Sequence, residues 1–141
     1  MSLVKIINFR SSSDERGSLC SLESNKNIPF DIKRVYYIFG TKPGVSRGFH
    51  AHRNLQQVAV CITGSCRFIL DDGESSESII LDEPLKGILI ESLVWREIYD
   101  FTPDCVLMVL ASDHYHEKDY IRKYEIFREQ TYHGNNSSKQ S

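Results

Sequence analysis

Apolar residues in this chain come in short runs, rich in β-branched and aromatic side chains and mostly bounded by Gly, Pro, Asp or Asn. On that pattern ten segments read as strands: 4–9, 18–23, 33–40, 48–53, 57–64, 66–70, 76–81, 87–92, 95–101 and 105–112. The stretch LDDGES at 70–75 is a hairpin turn, because Asp-Gly supplies the positive φ that a tight turn requires. Many short strands in a chain of this size predict an all-β sandwich or jelly-roll barrel. Only the end reads as helix: across 117–132, Tyr120, Ile121, Tyr124 and Phe127 fall at helical spacing. The polar stretch HGNNSSKQS at 133–141 is expected to be a disordered tail.

Two runs, VAVCI and CVLMVL, do not alternate. A barrel strand has an inner and an outer face, so apolar residues on both faces require cover from outside. A second copy of the chain is the simplest cover, and a homodimer is expected. With 141 residues, one domain (1–132) is the default. The net charge of −2 argues against a nucleic-acid partner, and no apolar run approaches the ~18 residues of a membrane span. A cytoplasmic protein is expected. Cys20, Cys61, Cys66 and Cys105 form no CxxC pair and read as small hydrophobes in a reducing compartment.

Candidate chemistry concentrates in SRGFHAHRNLQQ at 46–57. Side chains two apart in a strand share a face, so His50 and His52 point the same way, with Gly48 in line and Phe49 and Ala51 on the other face. In the run KRVYYIF one face carries Lys33, Val35, Tyr37 and Phe39, and the other carries Arg34, Tyr36 and Ile38. The second set suits a polar cavity wall. Arginine recurs around these segments at Arg16, Arg34, Arg47, Arg53, Arg96 and Arg122, and its planar fork suits phosphate.

The spacing of Gly44, His50, His52, Gln57 and Gly64 resembles the first cupin motif, with glutamine where that motif has glutamate. In the second motif, counted from Gly87, the position of the last metal ligand is Ile98. Two imidazoles, a neutral amide and an isoleucine make a poor transition-metal site. Neutral imidazole is the side chain best matched to moving a proton near pH 7, so proton chemistry is favoured over metal chemistry and over a purely structural role.

The resemblance extends further. Residues 27–73, the run VWREIYDF and the run CVLMVLASDHYHEKDYIRKYEIF are similar to the sugar-nucleotide 3,4-ketoisomerases grouped as WxcM-like or FdtA-type cupins, and the likeness covers about residues 4–128. That resemblance implies a double-stranded β-helix without metal or redox cofactor, and a homodimer with exchanged strands. It implies a dTDP-linked 4-keto-6-deoxy sugar as substrate, and transfer of the keto group from C4 to C3 through an enediol. It implies catalytic roles for His50, His52 and Tyr36. Arg34, Arg47, Arg16, Arg96, Gln57 and Arg122 are the expected substrate contacts. Trp95-Arg96 and Arg16 are where the facial outcome, a galacto- or gluco-configured product, is expected to be set. A sugar-nucleotide epimerase and a non-catalytic nucleotide-sugar-binding cupin are the competing readings.

Overall fold

The computed structural model describes residues 2–140, with side chains described as far as residue 132. Twelve strands form two five-stranded antiparallel sheets and one two-stranded ribbon. The first sheet contains β1 (Lys5–Asn8), β4 (Arg34–Ile38), β6 (Gln57–Thr63), β9 (Lys86–Ile90) and β11 (Val106–Ala111), in the order β1-β9-β6-β11-β4. The second contains β5 (Arg47–His52), β7 (Cys66–Asp71), β8 (Ser76–Leu81), β10 (Trp95–Tyr99) and β12 (Tyr120–Ile121), in the order β12-β5-β10-β7-β8. β2 (Ser11–Asp14) and β3 (Gly17–Cys20) pair only with each other. This is the double-stranded β-helix that the strand pattern and the resemblance led us to expect. Ribbon strand β2 escaped the pattern because its sequence, Ser-Ser-Ser-Asp, has no apolar position.

The main core lies between the two sheets. Inward residues of β6 (Ala59, Cys61), β9 (Ile88, Ile90) and β11 (Leu107, Val109) meet those of β7 (Cys66, Phe68, Leu70), with Ile98 of β10 and Leu81 of β8. The non-alternating strands are covered from outside, as their composition required, but by the chain itself. Val58, Val60 and Leu110 pack against Phe9, Ile28 and Phe30, so the segment between β3 and β4 folds over the first sheet. Contrary to expectation, these strands need no second subunit to cover them. A patch of exposed apolar surface lies along the edge strand β4 and the residue that follows it, where Val35, Tyr37 and Phe39 are 52%, 64% and 68% exposed.

The expectation of helix across 117–132 also needs correction. Glu117–Asp119 is a single 3-10 turn, Tyr120–Ile121 is β12, and α1 begins only at Tyr124. β12 pairs Tyr120 with His52 and Ile121 with Ala51. Ile121 is buried by that pairing and by Phe127 of α1. The backbone of α1 runs to Gln140, through most of the segment expected as a disordered tail; the side chains from 133 onward lie outside the described residues. Trp95 packs under α1 against Phe127 and Tyr124, so it belongs to this outer core and not to a cavity wall.

Candidate active site

One open cavity of about 580 Å³ enters the barrel between the sheets. Its floor is apolar, made by Ala59, Phe68, Ile90, Ile98 and Val109. Its walls are polar and bring together Arg34, Tyr36, Arg47, His50, Gln57, Arg96 and Arg122. Thus seven of the nine expected site residues line one cavity. His52 lies in the layer behind it. Arg16 does not reach it: this residue sits in the turn of the β2–β3 ribbon, exposed and paired with Asp14 at 2.6 Å.

Strand β5 carries the two histidines on one face, with ring centroids 4.9 Å apart. The alternation before them is broken. Register against β10 slips between Arg96↔His50 and Glu97↔Gly48, with Gly48 at φ 94° and Phe49 at φ 54°. This bulge turns Phe49 toward the cavity wall, where simple alternation had placed it on the opposite face. Glycine is required at 48, because a Cβ there would sit 3.0 Å from the Arg96 carbonyl oxygen.

The hydrogen-bond partners fix both imidazole tautomers. His50 Nδ1 lies 3.0 Å from the Gly48 carbonyl oxygen, and His52 Nδ1 lies 3.1 Å from Asp119 Oδ2. Both partners only accept, so each Nδ1 carries the hydrogen and each Nε2 keeps its lone pair. Both Nε2 atoms are buried and without a protein partner. Burial, and then the positive charge of Arg96, lower His50 to about 4 and His52 to about 2. Both rings are neutral at physiological pH, and the His52–Asp119 contact is a hydrogen bond rather than an ion pair. The same field opposes a metal cation between the rings.

Arg96 is 2% exposed and sits across the strand pair from His50. Its Nη2 donates to the Val94 carbonyl at 2.9 Å and its Nη1 donates to Gln57 Oε1. Burial lowers it to about 10, so it stays charged, and among the described residues no carboxylate pairs with it. Gln57 in turn donates from Nε2 to the Tyr36 hydroxyl at 3.2 Å. An amide serves here where a carboxylate would not: its oxygen faces a donor-only guanidinium, while its NH2 engages the phenol oxygen. The phenol hydrogen is thereby left free to be donated elsewhere. Burial raises the Tyr36 pKa, so the group is a protonated donor at neutral pH.

Sequence reasoning missed three contributors. Tyr120 packs against both imidazoles at 5.0 and 4.4 Å, and Arg122 lies 4.1 Å over its ring. Glu117 binds Arg122 at 2.8 Å. Asp119 accepts from His52 and from the backbone N–H groups of Asn54 and Leu55 at 2.8 and 3.3 Å. No two-residue period marks them, because Glu117 and Asp119 lie in a 3-10 turn and Tyr120 opens β12, and reading the segment as helix hid the short strand. Arg34, whose Nε is buried without a partner, lies over the Tyr36 and Tyr115 rings at 5.5 and 5.7 Å. Arg34, Arg47 and Arg96 have no carboxylate partner among the described residues, so the cavity carries excess positive charge suited to an anion.

Comparison with known proteins agrees with this geometry. Residues 2–132 match the family described as WxcM-like, C-terminal (FdtA). The chain belongs to that family. A TDP-4-oxo-6-deoxy-alpha-D-glucose-3,4-oxoisomerase from Aneurinibacillus thermoaerophilus is 59% identical over 124 residues, 88% of this chain and 89% of that protein. A 3,4-ketoisomerase structure from Helicobacter canadensis superposes with a TM-score of 0.89 at 48% identity, covering 91% of this chain and 96% of that one. A mutant of the 3,4-ketoisomerase QdtA from Thermoanaerobacterium thermosaccharolyticum, in complex with TDP-4-keto-6-deoxyglucose, superposes with a TM-score of 0.90 at 42% identity, covering 93% and 95%. Within this WxcM-like family member, no helix among the described residues is long and apolar enough to cross a membrane.

Proposed function

We propose that this enzyme converts TDP-4-keto-6-deoxy-D-glucose to a TDP-3-keto-6-deoxyhexose. The observation that carries the reading is a pair of neutral imidazoles with free Nε2 lone pairs beside a cavity where Arg34, Arg47 and Arg96 have no carboxylate partner among the described residues, in a chain 59% identical to a TDP-4-oxo-6-deoxyglucose 3,4-oxoisomerase. The cationic wall suits the diphosphate, and the apolar floor suits the deoxygenated face of the sugar.

The chemistry needs one base and one returning acid, and no redox agent. A hydrogen on C3 is acidic because the C4 carbonyl delocalises the electron pair left behind. His50 Nε2, at the cavity wall, takes that proton; the pair becomes the C3=C4 bond, and the carbonyl pair moves onto O4. Arg96 and Arg34 stabilise that oxygen as it gains charge, and preorganised donors of this kind are worth roughly 2.7–4 kcal/mol. Tyr36 donates its free hydroxyl hydrogen to O4, giving the enediol. The Tyr36 phenolate then takes the O3 proton, C3=O forms, and His50 Nε2 returns a proton to C4, so both side chains regain their starting states and the hydrogen count is unchanged. His52, held by Asp119 behind His50, is the second imidazole of the relay.

The catalysis is metal-independent in this reading, since Gln57 and Ile98 occupy the vacated ligand positions and Arg96 repels a cation. The working form is a homodimer with exchanged strands. Two features support it: the exposed apolar face of β4, and a ribbon whose eight strand positions are all exposed and which pairs only with itself. A lone two-stranded ribbon is marginal in water and gains stability from packing on another surface. Arg16 in that ribbon's turn meets substrate from the partner's side of the dimer, and with Arg96 it sets the facial outcome. Nucleotide-activated sugars and four free thiols fit a reducing cytoplasm.

Incubation with TDP-4-keto-6-deoxyglucose in deuterated water, followed by NMR, tests the proposal. A 3-keto product deuterated at C4 is the expected result. Inversion at a centre with the carbonyl still at C4 indicates an epimerase, and saturable TDP binding without exchange indicates a binding module; either overturns it.

A further inference from the structure

Three of the four cysteines converge at the end of the barrel away from the cavity. Gln57 and Ala59 of β6 line the cavity, and Cys61 lies next along the same inward face. Cys66 opens β7, and Cys105 immediately precedes β11. All three are at most 1% exposed, and none lines the cavity. Their sulfurs lie within 4.8 Å of one another, with Cys61 and Cys105 at 3.6 Å. Cys20, the fourth, is exposed on the ribbon.

The backbone around the three is held in place. Ser65 N–H donates to Thr102 Oγ1 at 2.9 Å, Thr102 N–H donates to the Ser65 carbonyl at 3.0 Å, and Cys105 N–H donates to the Thr102 carbonyl at 3.0 Å. The β6–β7 turn is thus tied to the entry of β11, and the sulfurs are presented from three preset positions. A thiophilic ion bound at about 2.3 Å from each sulfur needs sulfurs about 3.8–4.0 Å apart in tetrahedral or trigonal geometry. Cys61 and Cys105 are 3.6 Å apart and the other two pairs lie within 4.8 Å, so seating an ion needs only side-chain adjustment.

We propose that Cys61, Cys66 and Cys105 form an all-sulfur site for a soft, thiophilic ion, unconnected with the isomerase cavity. Charge selects among such ions. The acidic groups acting on the cluster are Asp104 and Asp82, which oppose build-up of negative charge. Three thiolates around a divalent ion carry a net negative charge, whereas around trivalent arsenic they are neutral, and a buried apolar site favours the neutral complex. With arsenous acid the step balances without redox: three As–O bonds break, three As–S bonds form, and the three thiol hydrogens leave with the three hydroxyls as three waters.

The probes are arsenite and, separately, cadmium(II), added to reduced, chelator-treated protein and followed by native mass spectrometry, thermal melting and alkylation mapping. The expected mass gain is one arsenic less three hydrogens per chain. Cys61, Cys66 and Cys105 become protected from alkylation after unfolding while Cys20 stays reactive, and the melting temperature rises. Cys20→Ser should leave binding unchanged; Cys61→Ala, Cys66→Ala or Cys105→Ala should lower affinity at least tenfold. Isomerase turnover of those three variants should stay within twofold of the unsubstituted enzyme. Less than one ion bound per chain, protection that includes Cys20, or binding that survives loss of all three thiols would overturn the proposal. The mapping is done on the unsubstituted protein, so a variant that fails to fold does not remove the test. Tighter cadmium than arsenite binding at the same three thiols would overturn the charge argument.

Discussion

Asp119→Asn is the most informative single substitution. Asp119 is 15% exposed and holds a His52 ring that is 1% exposed. Its Oδ1 accepts from Asn54 N–H, while its Oδ2 accepts from both His52 Nδ1–H and Leu55 N–H. In asparagine the amide oxygen keeps the shorter Asn54 bond, and the NH2 then faces two donors. His52 relieves the clash by moving its hydrogen to Nε2, which removes the lone pair facing the cavity layer. The Leu55 N–H is left without an acceptor. Losing a hydrogen bond to a charged group costs about 1.5–3 kcal/mol, and an orphaned donor costs roughly 1–3 kcal/mol more. A destabilisation of about 3 kcal/mol corresponds to a fall of roughly 6–12 °C in Tm. Catalysis should suffer more than folding, because a histidine locked in the wrong tautomer costs up to about 10⁴ in kcat in the best-known case. A loss of kcat of about 10²–10⁴ is expected, with KM changed less than threefold, because Asp119 does not line the cavity. The assays are deuterium exchange into the keto sugar, steady-state kinetics and thermal melting. Wild-type exchange by a folded Asp119→Asn protein would refute the tautomer argument, as would a loss confined to KM.

Other outcomes follow from the same geometry. The acid limb of kcat/KM should fall near pH 4 and not near 6.5, because burial and Arg96 keep His50 neutral to about 4. Folding stability should drop as pH falls from about 6.5 toward 4, since the unfolded chain takes up a proton at the ordinary histidine value that the folded His50 refuses; the shift from 6.5 to about 4 is worth about 3 kcal/mol, read by chemical denaturation across that range. Arg96→Met should move the acid limb upward toward the ordinary histidine value and raise KM for the anionic substrate; an unmoved limb would show that Arg96 does not set the histidine field. Gly48→Ala should destabilise by more than about 1 kcal/mol in melting experiments, because alanine resists φ 94° and its Cβ would press on the Arg96 carbonyl. Tyr37→Glu with Phe39→Glu should yield a monomer in sedimentation at micromolar concentration if β4 is the dimer face; an unchanged dimer places the interface elsewhere.

Much of this protein is written locally. Runs of β-branched residues bounded by Gly, Pro and Asp fixed ten strands, because strand formation responds to nearest neighbours and to the two-residue period. The same period put His50 beside His52 and Arg34 beside Tyr36, and the glutamine and isoleucine at the cupin ligand positions argued against a metal. Other features depend on contacts between distant segments. Tyr120–Ile121 carry a helical spacing but become a strand, because β5 offers an open edge whose pairing buries Ile121 and sets Tyr120 against both imidazoles. The apolar outer faces of β6 and β11 required a cover without naming it; the fold supplied residues of its own chain, a choice made by chain reach and shape rather than by composition. The bulge at Gly48-Phe49, the Arg96–Gln57–Tyr36 relay, the Asp119 clamp on His52 and the meeting of three cysteines all join residues far apart in sequence. Sequence alone determined which elements form and which side chains share a face. Only the closing of one sheet over the other decided which charges meet, and hence that both histidines stand neutral with a lone pair free.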